Sequence, residues 1–72
     1  MKIYITLGQD HIHKVGGMVY DKDCVVVIEA EDEESGRQIA FDNFGKKWFT
    51  SYTENNWDET KLRYYPRGYK EL

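Results

Sequence analysis

The side chains most capable of metal chemistry lie near the start of the chain, in the stretch GQDHIHK at residues 8–14. His11 and His13 are two positions apart, so on a strand both imidazoles would lie on one face. Two such imidazoles can share a metal ion, and Asp10 could add an oxygen ligand. A catalytic zinc site needs a third protein ligand, however, and the sequence has only these two histidines. We therefore expect a polar face beside a hairpin and no bound metal, with a metal-dependent hydrolase at His11 and His13 as an alternative.

A second group combines cationic and aromatic side chains in the C-terminal half of the sequence. Lys46, Lys47 and Trp48 are consecutive, and a later run contains Arg63, Tyr64, Tyr65, Arg67 and Tyr69. Cations beside stacking rings can hold a nucleotide. The structural alternative is that the lysines compensate a helix C-terminus while the tyrosines pack their rings. A site for a nucleotide or signalling molecule would use His11, Lys47, Trp48 and Arg67.

An acidic run follows the most apolar segment and comprises Glu29, Glu31, Asp32, Glu33 and Glu34. Closely spaced carboxylates can replace phosphates in a basic groove of a nucleic-acid-binding protein. A helix N-terminus explains part of the run without any partner, because negative charge is favourable there. Both interpretations predict an acidic surface at Glu31, Asp32, Glu33 and Glu34.

Catalytic patterns other than the histidine pair are missing from the sequence. Its single cysteine, Cys24, permits neither an internal disulfide nor a cysteine-based zinc site, and we expect it to be a small buried hydrophobe. Gly16 and Gly17 lack the strand and helix context of a phosphate-binding loop. We therefore expect no enzymatic activity, no catalytic residue and no cofactor.

The elements that must position these side chains are predicted from periodicity. Residues 2–7 alternate as a half-buried strand, and residues 11–20 form a hairpin around Gly16 and Gly17. Residues 24–30 are apolar on both faces, which predicts a central strand. A third main strand covers residues 47–53, a polar loop covers residues 54–60, and a short strand near residues 62–65 ends before Pro66.

One helix is predicted between the central strand and the third main strand. Asp32 is its N-cap, and Gly45 takes the left-handed position after its end. Gly36, Ile39, Ala40 and Phe44 form one stripe, and the small residues among them indicate close packing on the sheet.

Together these elements predict a single α+β domain over residues 1–72, with an antiparallel or mixed sheet of four to five strands and one helix on one face. One helix cannot cover both faces of such a sheet. The uncovered face should carry Tyr4, Thr6, Trp48, Thr50, Tyr52, Val25 and Val27. An exposed aromatic face of this kind usually marks a partner site, and it also predicts a homodimer. On this basis Tyr4→Glu and Tyr52→Glu should leave the monomer folded.

Composition limits the classes of partner. The net charge is −3 and the isoelectric point is about 5.3, so direct nucleic-acid binding is not expected. The sequence shows neither a signal-peptide pattern nor an apolar segment of membrane-spanning length. We expect a cytoplasmic protein without membrane contact.

Three short motifs carry a resemblance to known proteins. Thr6, Gly8 and His11 lie in TLGQDH, Phe44, Gly45, Lys47 and Trp48 lie in FGKKW, and Tyr65 and Pro66 lie in YYPRGY. In these segments the chain resembles a family of small bacteriophage and mobile-element proteins without an assigned activity, although Leu7 stands where that family has Phe. The resemblance implies a phage origin and action in the host cytoplasm.

The function expected from these features is non-enzymatic binding that occludes a host protein. Small acidic phage proteins are often inhibitors of host defence, including anti-CRISPR proteins, so a nuclease or defence complex is the expected partner. The alternatives are the small-ligand site and the hydrolase described above.

Overall fold

The computed structural model describes residues 1–8, 12–46, 48 and 50–72. Within these residues, six strands, one α-helix and one 3₁₀ helix follow in chain order. The strands are β1 (Lys2–Thr6), β2 (His13–Val15), β3 (Met18–Tyr20), β4 (Cys24–Glu29), β5 (Thr50–Thr53) and β6 (Gly68–Glu71). The α-helix α1 spans Glu33–Phe44, and the 3₁₀ helix spans Glu59–Tyr64.

The main sheet is mixed and has the strand order β5-β1-β4-β6. β1 pairs antiparallel with both β4 and β5, whereas β6 pairs parallel with β4. β4 lies inside the sheet and is buried from Cys24 to Ile28, as its two apolar faces predict. The expected α+β domain with a small mixed sheet and one main helix is confirmed.

α1 covers one face of this sheet and has the predicted ends. The Asp32 carboxylate accepts a hydrogen bond from the Ser35 amide at 2.7 Å, and Gly45 has φ 62°. Gly36, Ala40 and Phe44 are buried. Gly36 lies so close to β1 that a Cβ at this position would stand 3.0 Å from the Cβ of Ile3. The helix therefore depends on glycine for its approach to the sheet.

The predicted hairpin is confirmed for β2 and β3, but these strands form a separate two-stranded sheet. Gly16 and Gly17 have φ 57° and 82°, as a tight turn between them requires. The ring of Tyr20 packs edge-on against Phe44, and its hydroxyl donates to the Glu71 carbonyl at 2.9 Å. Tyr20 thus connects the hairpin to both α1 and β6.

The core between sheet and helix consists of aliphatic residues from β1 and β4, joined by Ala40 and Phe44. Ile3 lies opposite Ile28, and Ile5 lies opposite Val26. Cys24 has no exposed surface, and burial raises the pKa of its thiol. Its expected role as a small buried hydrophobe fits this environment.

The C-terminal segment differs from its prediction. Residues 62–65 belong to the 3₁₀ helix, and the strand comes after Pro66 as β6. The Asp58 carboxylate accepts hydrogen bonds from the amide and hydroxyl of Thr60, at 3.0 and 2.7 Å, which starts the helical turn. Gly68, with φ 71°, then lets the chain enter the sheet beside β4.

Candidate functional site

The face of the main sheet opposite α1, which we call the second face, is covered by Trp57. This residue lies in the segment predicted as a polar loop. The amides of Asn56 and Trp57 both donate to the Thr53 carbonyl, at 3.1 and 2.9 Å, so the chain turns back immediately after β5. Trp57 then stacks on Tyr4, with ring centroids 5.3 Å apart and planes 12° apart. Only 9% of the Trp57 surface remains exposed. The chain therefore buries this face with its own indole.

Three further tyrosines pack around Trp57. Their ring centroids lie 5.3 Å (Tyr52), 6.4 Å (Tyr65) and 6.4 Å (Tyr69) from that of Trp57. The indole N–H donates to the Tyr69 hydroxyl at 2.9 Å, so the polar tip of Trp57 has a partner. Burial raises the pKa of Tyr65. This arrangement, the aromatic layer, is a second small core.

The prediction of an uncovered aromatic face is therefore wrong. Tyr4, Thr50 and Tyr52 do share one face, as predicted, because they are paired across β1 and β5. Tyr4 and Tyr52 are half-buried under Trp57, and Val25 on the same face is fully buried. The homodimer was predicted from this face being uncovered, so that argument no longer supports it. Self-association stays an untested prediction.

The predicted position of Trp48 on this face is wrong. β5 begins only at Thr50, so the alternation does not extend back to Trp48. Trp48 packs against the core on the helix side and meets Phe41 edge-on, with centroids 5.2 Å apart. Its indole N–H is buried and has no hydrogen-bond partner within the described part of the chain.

Carboxylates collect at one end of the main sheet, where β1 begins and where β4, β5 and β6 finish. We call it the acidic end. Its exposed members are Glu29, Glu31, Asp32, Glu33, Glu34, Glu54 and Glu71. Glu31, Asp32, Glu33 and Glu34 are the acidic surface predicted from the sequence. Glu54 and Glu71 come from distant parts of the sequence and reach this end because of the strand order.

Few contacts neutralise this charge among the described residues. Glu29 Oε1 lies 3.5 Å from the amino nitrogen of Met1, and the Glu54 carboxylate accepts the backbone N–H of Lys2. The hydrogen bond from the Ser35 amide lowers the pKa of Asp32 and so favours its charged form. The acidic end is thus a solvent-exposed group of carboxylates.

A cavity of about 230 Å³ opens on the second face beside the acidic end. Tyr4 and Tyr69 supply ring surface, Val27 supplies an apolar surface, and Lys2, Glu59 and Glu71 supply charge. Ligand pockets for small organic molecules usually measure about 300–1,000 Å³. This cavity therefore suits a single side chain better than a nucleotide. A smaller cavity of about 120 Å³, lined by Val27, Glu29, Glu71 and Leu72, adjoins it.

The histidine motif is only partly within the described residues. His13 is half-buried, and its ring lies 4.9 Å from that of Phe44. Asp10 and His11 lie outside the described residues. In the part of the chain that is described, His, Cys, Asp and Glu form no group of three close enough to hold a metal. A hydrolase at His11 and His13 stays an untested alternative.

The predicted small-ligand set is likewise incomplete, because His11 and Lys47 fall outside the described residues. Trp48 packs against α1, as described above. Arg67 pairs with Asp21 through an Nη1 to Oδ2 distance of 2.8 Å, at the opposite end of β4 from the acidic end. Neither described member faces the cavity on the second face.

Comparison with protein-family models, curated proteins and solved structures found no match. The resemblance to small phage proteins therefore stays an expectation drawn from the three sequence motifs. No helix in the described residues is both long and apolar enough to cross a membrane.

Sequence reasoning missed two features of the site. The Asn, Asp and Glu residues around Trp57 predict a loop, although a tryptophan within a polar loop can signal a ring that folds back onto the sheet. Glu54, Glu59 and Glu71 were missed because only the strand order and the 3₁₀ helix bring them near the acidic end.

Proposed function

We propose that this protein is a non-enzymatic binding protein that occludes a basic, nucleic-acid-binding groove of a host protein. The observation that carries the proposal is the acidic end, where seven exposed carboxylates of the described residues converge from three separate chain segments. The phage-type resemblance makes a nuclease or another defence complex, including a CRISPR effector, the expected class of partner. Its place of action would be the host cytoplasm.

Electrostatics supports this choice of partner. A groove that binds nucleic acid is built to attract closely spaced negative charge, and it does not distinguish a phosphate from a carboxylate at long range. The acidic end offers such charge where four strand ends meet the start of one helix. Complementary charge would also speed association.

Capture from bacterial lysate in the presence and absence of duplex DNA tests the proposal. The immobilised protein should retain a nucleic-acid-binding protein, and added DNA should release it because both ligands need the same groove. A Glu31→Gln, Glu34→Gln double variant should bind the captured protein about tenfold more weakly, equivalent to about 1.4 kcal/mol. Binding should also weaken steeply as salt increases.

The matched control removes the same charge from elsewhere on the surface. Asp23→Asn, Asp42→Asn should bind like the unmodified protein, because Asp23 lies at the other end of β4 and Asp42 lies in the last turns of α1. Equal binding by all three proteins, or capture that DNA leaves unchanged, would contradict the proposal.

A further inference from the structure

We propose that the cavity on the second face binds the guanidinium group of an arginine side chain from the partner protein. This inference rests on the proposed function, since it assigns one contact within that interface. It goes further by naming the residue type that the partner contributes and the place where it docks.

The lining of the cavity matches this occupant in chemistry. Tyr4 and Tyr69 both line the cavity, and their rings contact each other with centroids 5.7 Å apart and planes 52° apart. A planar cation is attracted to aromatic faces, and guanidinium prefers them more than ammonium does. Glu59 and Glu71 are exposed carboxylates on the same lining, and carboxylates accept paired hydrogen bonds from guanidinium. Val27 gives an apolar surface for the methylene stem.

The two aromatic walls are held in place before any ligand binds. Trp57 stacks on Tyr4, and its indole N–H donates to the Tyr69 hydroxyl at 2.9 Å. Both tyrosines are therefore fixed by the same buried residue. A pocket whose walls are already ordered loses little conformational entropy when it binds.

Charge complementarity favours a cation despite one opposing group. Lys2 belongs to the lining and would repel an incoming guanidinium. Glu59 and Glu71 outnumber it within the lining. Glu29, in the adjoining cavity, already faces the amino group of Met1 and is not counted. Removing the Lys2 charge should therefore strengthen cation binding, whereas removing the carboxylates should weaken it.

Titration with N-acetyl-arginine amide, followed by amide chemical shifts in NMR, tests the assignment. The probe should bind weakly, with a dissociation constant of about 1 mM or above, and it should shift the amides of Val27, Tyr69 and Glu71. The Glu59→Gln, Glu71→Gln variant should bind it about fivefold more weakly, and Lys2→Gln about twofold more tightly. Asp42→Asn, remote from the cavity, should bind it like the unmodified protein.

Two matched probes make the result decisive. N-acetyl-citrulline amide has nearly the same shape without charge and should not bind, and N-acetyl-lysine amide should bind more weakly than the arginine probe. Equal binding by all three probes, or shifts confined to α1, would overturn the proposal.

If arginine fails to bind while the Glu31→Gln, Glu34→Gln variant still loses its partner, this inference alone fails. If arginine binds and no DNA-competed partner is found, the proposed function alone fails.

Discussion

Replacing Trp57 by alanine is expected to leave the protein largely unfolded at room temperature. Trp57 covers the second face of the sheet and contacts four tyrosine rings. Truncation of a buried large aromatic residue costs about 3–5 kcal/mol. The net stability of a domain this small is about the same size. Circular dichroism during thermal and urea unfolding would measure the loss.

Tyr64→Ala is the matched control for this substitution. It removes an aromatic ring from the same C-terminal segment, but Tyr64 is 65% exposed, so its loss should change stability by no more than about 0.5 kcal/mol. Tyr4→Glu should behave like Trp57→Ala, because a carboxylate would be placed under the indole. A Trp57→Ala protein that melts within a few degrees of the unmodified protein would show that the second face does not depend on this residue.

Gly36→Val is expected to lower the free energy of unfolding by about 3 kcal/mol. The reason is steric, because a Cβ at position 36 would already stand 3.0 Å from the Cβ of Ile3 and 3.3 Å from its Cγ2. Ile3 belongs to β1 and is fully buried between the main sheet and α1, so it has little room to move away. The helix would have to lift from the sheet or Ile3 would have to leave its rotamer. Urea unfolding would give the size of the effect.

A double-mutant cycle separates this clash from ordinary helix propensity. Arg37→Val, at an exposed neighbouring position of α1, should cost only the propensity difference of about 0.5 kcal/mol. Combining Gly36→Val with Ile3→Ala should lower the free energy of unfolding by less than the sum of the two single changes. The smaller alanine removes the clash with the new valine, and the valine fills part of the space that Ile3 leaves. Additive costs would show that the two side chains do not compete for the same space.

Much of the helix-covered side of the sheet could be predicted from the sequence, because the residue patterns that define it are local. The alternation of residues 2–7, the apolar run from Cys24 and the Asp32 and Gly45 caps each define one element without reference to the others. Gly36 and Ala40 even indicated the close approach of the helix. Such features depend on the period of the side chains and on backbone conformation, both of which are readable over short windows.

The second face could not be predicted in the same way because its cover comes from a loop. Trp57 reaches Tyr4 through one turn after β5, and no periodicity marks such a turn. The parallel pairing of β6 with β4 is also non-local, since each paired residue of β6 lies 44 positions after its partner in β4. That pairing places Glu71 beside Val27 and helps to form both the acidic end and the cavity.

The aromatic layer links the stability of the domain to the proposed interface. Trp57 stabilises the second face and also fixes Tyr4 and Tyr69, which form walls of the cavity. A conservative Trp57→Phe change would keep a ring on Tyr4 but lose the hydrogen bond to Tyr69. The tyrosines are therefore better assigned to scaffold and pocket wall than to a self-association surface.

The most direct test of the central claim is a competition between this protein and duplex DNA for the captured host protein. Fluorescence anisotropy of labelled DNA bound to that partner would be followed as this protein is added. We predict that the DNA is released completely, and that the Glu31→Gln, Glu34→Gln variant needs about ten times the concentration to release it. A stable ternary complex, in which the DNA stays bound while this protein is also bound, would contradict the proposal that the acidic end occupies the nucleic-acid groove.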